Sequence, residues 1–279
     1  MGKPIMIQGT ASGVGKTILT LALCRIFKKD GYTVAPFKAQ NMTSNTVFME
    51  SGDEIAGSQW LQALAAGIVP DANMNPVLLK YTPGKQGSEI VVRGKHFDTI
   101  STYGFKDIKK QLVPEIMEAY FCLREGYDIV VIEGAGSPVE LNLNHDDLVN
   151  MGMAKRAKSP VVLVADIDRG GVFASLYGTI NLMNETERGY VKATIVNRFK
   201  GEPSYFGEGV KMIEDITKLP VAGVVPFKAI NLPEEDSLFD SAEYVEQSTD
   251  FESQFDDIAD HVRKSIDMDL IYKILDNGV

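Results

Sequence analysis

The stretch Gly9-Thr10-Ala11-Ser12-Gly13-Val14-Gly15-Lys16-Thr17 follows the apolar run Ile5-Met6-Ile7 and leads into a helical pattern. A strand that enters a glycine-rich turn closing in Lys-Thr and opening a helix is the arrangement that cradles a nucleoside triphosphate. Backbone N–H groups of the turn and the positive helix end face the phosphates. Lys16 then reaches the outer phosphates and the Thr17 hydroxyl sits on Mg²⁺. Ser12, Gly13, Val14, Gly15, Lys16 and Thr17 are the expected ATP contacts. Five residues separate Gly9 from Gly15, one more than in the usual loop, which would place glycine at Thr10.

At 279 residues and 44% hydrophobic side chains, the chain suits one large α/β domain, or a domain with a small appendage. The formal charge of −10 argues against a nucleic-acid partner, and no long basic block contradicts this. A bound anion such as ATP must then be held by local cations, so single lysines near the loop are informative. No stretch reaches the ~18–20 uninterrupted apolar residues of a membrane span, and no secretory leader precedes Ile5. A cytoplasmic location without a membrane partner is expected. Cys24 and Cys122 lack metal spacing and read as small buried hydrophobes in two separate helices.

From Thr17 to Asp30 apolar residues recur at helical spacing, with Lys28 and Lys29 in the last turn and Gly31 as the stop. Thr33 to Phe37 reads as the second strand. It delivers Lys38 to the segment Ala39 to Asn45, which is too rich in Asn for regular structure and is expected to be a loop. Helical patterns follow over Glu54 to Ala66 and over Lys106 to Glu125, the second with Pro114 where it starts afresh or kinks. Between them lie Asn75 to Lys80, a Gly-rich turn and a strand over Glu89 to Val92.

Asp128 to Ile132 is a continuous apolar run after its Asp, the signature of a strand covered on both faces. It ends at Glu133-Gly134-Ala135-Gly136-Ser137-Pro138. Pro160 to Ala165, Val191 to Val196 and Val221 to Val225 repeat the device. They end at Asp166-Ile167-Asp168-Arg169-Gly170-Gly171, at Asn197-Arg198 and at Pro226, with a helix from Val172 to Met183 between the first two. Alternating buried strands and helices predict a mostly parallel sheet covered by helices on both faces, with ligands beyond the strands' C-terminal ends. After an acidic, weakly patterned stretch from Pro233 to about Asp250, Phe251 to Ile266 and Met268 to Leu275 form two short amphipathic helices. Gly278 reads as the final cap. Residues 1–240 are expected to be the main domain and residues 241–279 a helical extension packed on it.

The polar residues at the strand ends suggest the chemistry. Lys38, on the strand neighbouring the loop's strand, puts a second ammonium on the transferring phosphoryl group, or is a solvated loop lysine. Glu133, an acid at the end of a buried strand, is the candidate Mg²⁺ partner beside Thr17. Glu54 or Asp53 completes the metal shell, or supplies an N-terminal helix charge. Asp166 is a metal contact or a helix-capping acid. Asn197 offers its amide to an adenine edge, or caps a strand end. Arg169 of Asp168-Arg169-Gly170-Gly171 holds a carboxylate by two parallel bonds, or pairs with its neighbour. His96, His145 and His261 have no ligand spacing and receive no role.

Six segments taken together resemble the cobyric acid synthase family: Pro36-Phe37-Lys38-Ala39-Gln40-Asn41-Met42; Glu54-Ile55 with Gln59 and Gln62-Ala63; Met74-Asn75-Pro76-Val77-Leu78-Leu79-Lys80; Glu133 to Pro138; Val149-Asn150-Met151-Gly152; and Asp166 to Gly171. The resemblance runs from Lys3 to about Leu238. The first segment and Asp168-Arg169-Gly170-Gly171 set it apart from dethiobiotin synthetase, which has a similar loop and fold. It implies a P-loop NTPase fold of the dethiobiotin synthetase-like type. It also implies an ATP- and Mg²⁺-dependent amidoligase of cobalamin biosynthesis. Members amidate four peripheral carboxylates of adenosylcobyrinic acid a,c-diamide to give adenosylcobyric acid, with glutamine as nitrogen source. By resemblance, Lys16, Thr17, Lys38, Glu54 and Glu133 form the ATP–Mg centre, while Gln40, Asn41, Asn75, Lys80, Asp168 and Arg169 face the corrinoid.

The family usually carries a C-terminal glutamine amidotransferase domain of roughly 200 residues, a full domain's length. Neither cysteine here sits in a Gly-x-Cys-x-Gly elbow. The expectation is therefore a synthetase half served by a separate glutaminase domain or subunit, or by free ammonia. A homo-oligomer is compatible with the sequence. Two other readings share the fold: a dethiobiotin synthetase-like ligase acting on another substrate, and a partitioning-type switch ATPase. The latter class usually has an extra lysine early in the loop, and Gly9 to Ser12 contains none.

Overall fold

The computed structural model describes residues 1–81, 87–100, 108–142, 147–230, 232 and 251–279. Six parallel strands form the central sheet in the order β12-β11-β10-β1-β9-β2. They are β1 (Lys3–Gly9), β2 (Val34–Phe37), β9 (Ile129–Glu133), β10 (Val161–Asp166), β11 (Val191–Phe199) and β12 (Val221–Pro226). Both faces are covered, as the continuous apolar runs require. Met6, Val130, Ile132 and Leu163 enter one hydrophobic cluster, whereas Ile5, Ile7, Ile129, Val131 and Val162 enter the other.

Alternation along each strand sends neighbouring side chains to opposite helical layers. Helices α1 (Lys16–Lys29), α8 (Phe251–Arg263) and α9 (Met268–Asn277) cover the second face through Leu19, Leu23, Phe255, Ile258 and Ile271. On the first face lie α3 (Val113–Gly126), α4 (Met151–Ala157) and α5 (Val172–Leu182), through Ile116, Tyr120, Met153 and Leu176. Short α6 (Glu185–Tyr190), with an Asn184/Glu187 capping box, and α7 (Gly207–Thr217) follow in the chain.

The expected loop after Lys38 contains β3 (Gln40–Met42), which pairs in parallel with β6 (Val77–Tyr81). Asn41 satisfies its side chain internally, so an Asn-rich segment accepts a ladder. Antiparallel β7 (Ser88–Val92) and β8 (Lys95–Ile100) extend this second sheet to the order β3-β6-β7-β8. The helix expected from Glu54 begins at Gly57. Residues Glu54–Ala56 are instead β5, paired antiparallel with β4 (Thr46–Phe48), and α2 is Gly57–Ala66. Of the helix expected from Lys106, residues 108–109 are helical, residues 110–112 turn, and it starts afresh at Val113 with Pro114 in its first turn, where a missing N–H costs nothing; residues 101–107 lie outside the described ones.

Cys24 is buried as expected, but Cys122 is exposed, because it falls on the outer side of α3 while Ala119, Tyr120 and Leu123 face the core. Gly278 caps α9 with φ 62°, a conformation open to glycine. Helix α8 is clasped to α1 by charge: Arg25 donates to Asp256 at 2.8 Å and to Glu252 at 2.7 Å, and Lys29 to Asp260 at 3.0 Å. The acidic stretch from Pro233 to Asp250, with the expected boundary at 240, lies outside the described residues, as does His145. Among the described residues no helix is long and apolar enough to cross a membrane.

Candidate functional site

Strand register sets the site. Ile7 of β1 lies opposite Glu133 of β9, and Phe37 of β2 lies opposite Ile132. The next residue after Phe37, Lys38, therefore leaves the sheet beside Glu133; its strand is not the expected neighbour of the loop's strand, because β9 lies between them. On the other side Asp166 lies opposite Asn197. The strand ends and the turn after Gly9 thus converge on one edge, where open parallel sheets bind ligands.

Within the turn, Gly13 and Gly15 have φ of 71° and 99°. Gly15 is doubly required, because a Cβ there would meet Asn197 Nδ2 at 2.2 Å. Asn197 Nδ2 donates to the Val14 carbonyl at 2.8 Å, so this amide holds the turn's own backbone. Helix α1 starts on Gly15 with no side-chain cap and no acid in its first turn. Its N-terminal N–H groups and positive dipole end therefore suit an anion supplied from outside. Lys16, mostly buried, donates to the carbonyls of Ala11 at 3.0 Å and Gly136 at 3.1 Å, bridging the turn to the segment after β9. Ser12 is exposed at the tip.

Glu133 is 1% exposed and fully engaged. Its Oε1 accepts from Thr17 Oγ1 at 2.8 Å and from Lys38 Nζ at 3.0 Å, and its Oε2 accepts from Gln62 Nε2 at 2.6 Å. The structure thus brings together Thr17, Lys38 and Glu133. The hydroxyl and carboxylate form a pair of hard oxygen donors next to the turn. Among the described residues no group of three or more His, Cys, Asp or Glu gathers to hold a metal alone. Two adjacent oxygens fit Mg²⁺, which keeps waters and takes substrate phosphate oxygens for the rest of its shell. Burial, and secondarily the nearby Glu133 charge, push the Cys24 thiol far up, so that it stays protonated.

Glu54 lies in a second polar group. Its Oε1 accepts from Thr46 Oγ1 at 2.5 Å and pairs with Lys80 Nζ at 2.7 Å, and Lys80 also reaches Glu89 at 3.5 Å. Asn41 is buried, donating to Gln59 Oε1 at 2.9 Å and Ser58 Oγ at 3.2 Å. Asn75, also buried, donates to the carbonyls of Lys38 at 3.2 Å and Val77 at 3.0 Å, tying the second sheet to the strand end that carries Lys38. Gln40 is half-buried. Asp168 and Arg169 are exposed and do not pair with each other: Asp168 meets Lys200 at 2.6 Å, while Asp166 meets Arg198 at 3.0 Å.

Three contributors carried no assigned role in the sequence reading. Gln62 touches Glu133 and also donates to the Thr17 carbonyl at 3.3 Å. Asn150 clamps the segment that receives Lys16, donating to the carbonyls of Ala135 at 2.6 Å and Ser137 at 3.2 Å and accepting from Ala135 N at 3.1 Å. Asp147 orders Asn150 in turn, accepting from its N–H at 2.9 Å and from Gly152 N at 2.7 Å. A visible signal exists for Gln62: Gln59 and Gln62 stand three apart amid Leu61, Ala63, Ala65 and Ala66, so two amides share a helix face within an apolar run.

Comparison with known proteins gives the family. A cobyric acid synthase of Listeria monocytogenes serotype 4b (strain CLIP80459) is 51% identical over 238 residues, which is 85% of this chain and 46% of that protein. Enzymes of the same name from Ruminiclostridium cellulolyticum, 52% over 238 residues, and Clostridium novyi, 50% over 242 residues, align similarly, covering 46% and 48% of their lengths. The chain spans about half the length of the curated relatives it matches. Residues 5–239 match the nucleotide-binding family CbiA, and with its phosphate turn on a mostly parallel sheet the chain belongs to the CobQ/CobB/MinD/ParA nucleotide binding domain family.

Proposed function

We propose that the chain is the ATP-dependent amidoligase part of a cobyric acid synthase, amidating peripheral carboxylates of adenosylcobyrinic acid a,c-diamide. The observation that carries this reading is the convergence of Thr17 and Lys38 on one oxygen of the buried Glu133, beside an uncapped helix N-terminus. The relatives named cobyric acid synthase supply the substrate class. In this reading residues 1–240 form the synthetase domain, and residues 241–279 belong with it. Ammonia comes from a glutaminase domain or subunit outside this stretch of sequence, or from solution. A cytoplasmic setting suits such a biosynthetic step.

A carboxylate is a poor electrophile. Moving the γ-phosphoryl group of ATP onto a carboxylate oxygen releases ADP and leaves an acyl phosphate. Ammonia then attacks the acyl carbon, and phosphate departs with that oxygen. The protein's task is placement and charge balance. Residues Ser12 to Thr17 cradle the phosphates. Lys16 exchanges its carbonyl partners for outer phosphate oxygens, and Lys38 faces the transferring group. Thr17 and Glu133 would hold Mg²⁺, which would neutralise phosphate charge; Glu54, ion-paired with Lys80, is a further candidate for its shell. Asn197 fixes the turn through the Val14 carbonyl and, in this reading, also offers its amide to the adenine edge. On the corrinoid side, Gln40, Lys80, Asp168 and Arg169 offer accessible polar groups. Asn41 and Asn75 act from within the wall.

ATP turnover tests the proposal. With ammonia present, hydrolysis should depend on a carboxylated corrinoid. Equal rates with and without corrinoid would remove the amidoligase reading.

A further inference from the structure

Behind Glu133 lies a file of buried amides, of which the chemistry above uses only Asn41, within the corrinoid-side wall. Asn41 of β3 donates to Gln59 Oε1 at 2.9 Å, Gln59 Nε2 donates to Gln62 Oε1 at 3.3 Å, and Gln62 Nε2 donates to Glu133 Oε2 at 2.6 Å. Every N–H in the file points toward the carboxylate, so each amide dipole polarises the next in the sense that favours an anion at the end. Gln59 and Gln62 are wholly buried and Asn41 nearly so, at 0%, 0% and 2% exposure. Water cannot take over their bonds. The last bond is charge-assisted and the shortest in the file, and the same Gln62 nitrogen also reaches the Thr17 carbonyl at 3.3 Å.

We propose that Gln62, backed by Gln59, is a positioning residue for the magnesium–nucleotide centre: it anchors Glu133 by Oε2 so that Oε1 is held toward the Thr17 hydroxyl. Without it, Lys38 at 3.0 Å remains as the charged partner of the carboxylate and can draw it out of register with Thr17. Partners that orient a metal-binding carboxylate typically matter about 10–100-fold in metal affinity or activity. The file begins on the second sheet, at the strand paired with β6, so packing there is transmitted to the carboxylate. This inference rests on the reading of Glu133 and Thr17 as the Mg²⁺ donors.

Calorimetric titration of ATP with Mg²⁺ or with excess EDTA, without corrinoid, tests it. Gln62→Leu keeps the volume and removes the donor; Gln62→Glu can accept from Gln59 but places a second carboxylate against Glu133. Both should bind ATP in EDTA within about twofold of the wild type and need about tenfold more Mg²⁺ for half-saturation. Gln59→Leu, one step farther back, should shift the Mg²⁺ requirement the same way by a smaller factor, and it carries the test if the Gln62 variants fail to fold. An unchanged Mg²⁺ requirement in the folded variants, or equal loss of ATP affinity with and without Mg²⁺, would overturn the proposal. Because no corrinoid is present, these outcomes are independent of whether the protein amidates corrinoids.

Discussion

Lys38 Nζ lies 3.0 Å from Glu133 Oε1, with the two side chains 4% and 0% exposed. Removing one partner of a buried pair typically costs about 3–5 kcal/mol, since the remaining charge is left uncompensated. Here Thr17 and Gln62 continue to bond the carboxylate, so Lys38→Ala should fall toward the low end of that range. If Lys38 acts mainly on the transferring phosphoryl group, the variant should lose far more in kcat than in ATP affinity. Steady-state kinetics beside a binding titration separate the two, and a loss confined to ATP affinity would assign Lys38 to binding alone.

Gly15 sits at φ 99° with Asn197 Nδ2 in the space a Cβ would fill. Gly15→Ala meets both a backbone penalty of about 1–3 kcal/mol and a steric clash. ATP binding should be lost. Combining it with Asn197→Ala removes the clash but not the backbone strain, so the double variant should recover only part of the affinity. Full recovery in the double variant would mean that the backbone conformation is not limiting.

The clasp between α1 and α8 should fail in acid. The Arg25 hydrogen bond holds the Asp256 carboxyl below its ordinary value. A group whose folded-state value is depressed stabilises fully above its unfolded value, about 4, and the contribution fades as pH falls through the folded value. Asp256 is 44% exposed, so solvent screens the pair and the effect is small. The Tm difference between wild type and Asp256→Asn should be present at neutral pH, narrow below about pH 4, and shrink in high salt. A difference that stays constant through acidification would place the stabilising contact elsewhere.

The fold and half of the site are readable in the sequence because they obey local rules. Buried parallel strands are continuous apolar runs, and the acid or lysine ending each run must lie at the ligand edge; Glu133 and Lys38 follow directly. Gln62 does not, because its meaning depends on α2 crossing to the end of β9, a contact between residues 71 positions apart. Strand β3 is three residues long and polar, and its partner β6 comes much later, so neither alternation nor propensity marks it. Glu54 stands at a junction where β5 passes into α2, and apolar spacing extends the helix backward over it. Asp168 and Arg169, adjacent in sequence, do not pair; Arg198 on β11 and Lys200 just after it pair with Asp166 and Asp168 instead, contacts that adjacency does not reveal.

The most direct measurement follows a carboxylate oxygen. Corrinoid a,c-diamide labelled with ¹⁸O in its peripheral carboxylates, incubated with the protein, ATP, Mg²⁺ and ammonia, should deliver labelled oxygen to inorganic phosphate in step with amide formation, and Lys16→Ala should abolish both. Phosphate that forms without label, or ATP turnover indifferent to the corrinoid, would contradict transfer of the phosphoryl group to a carboxylate at this site.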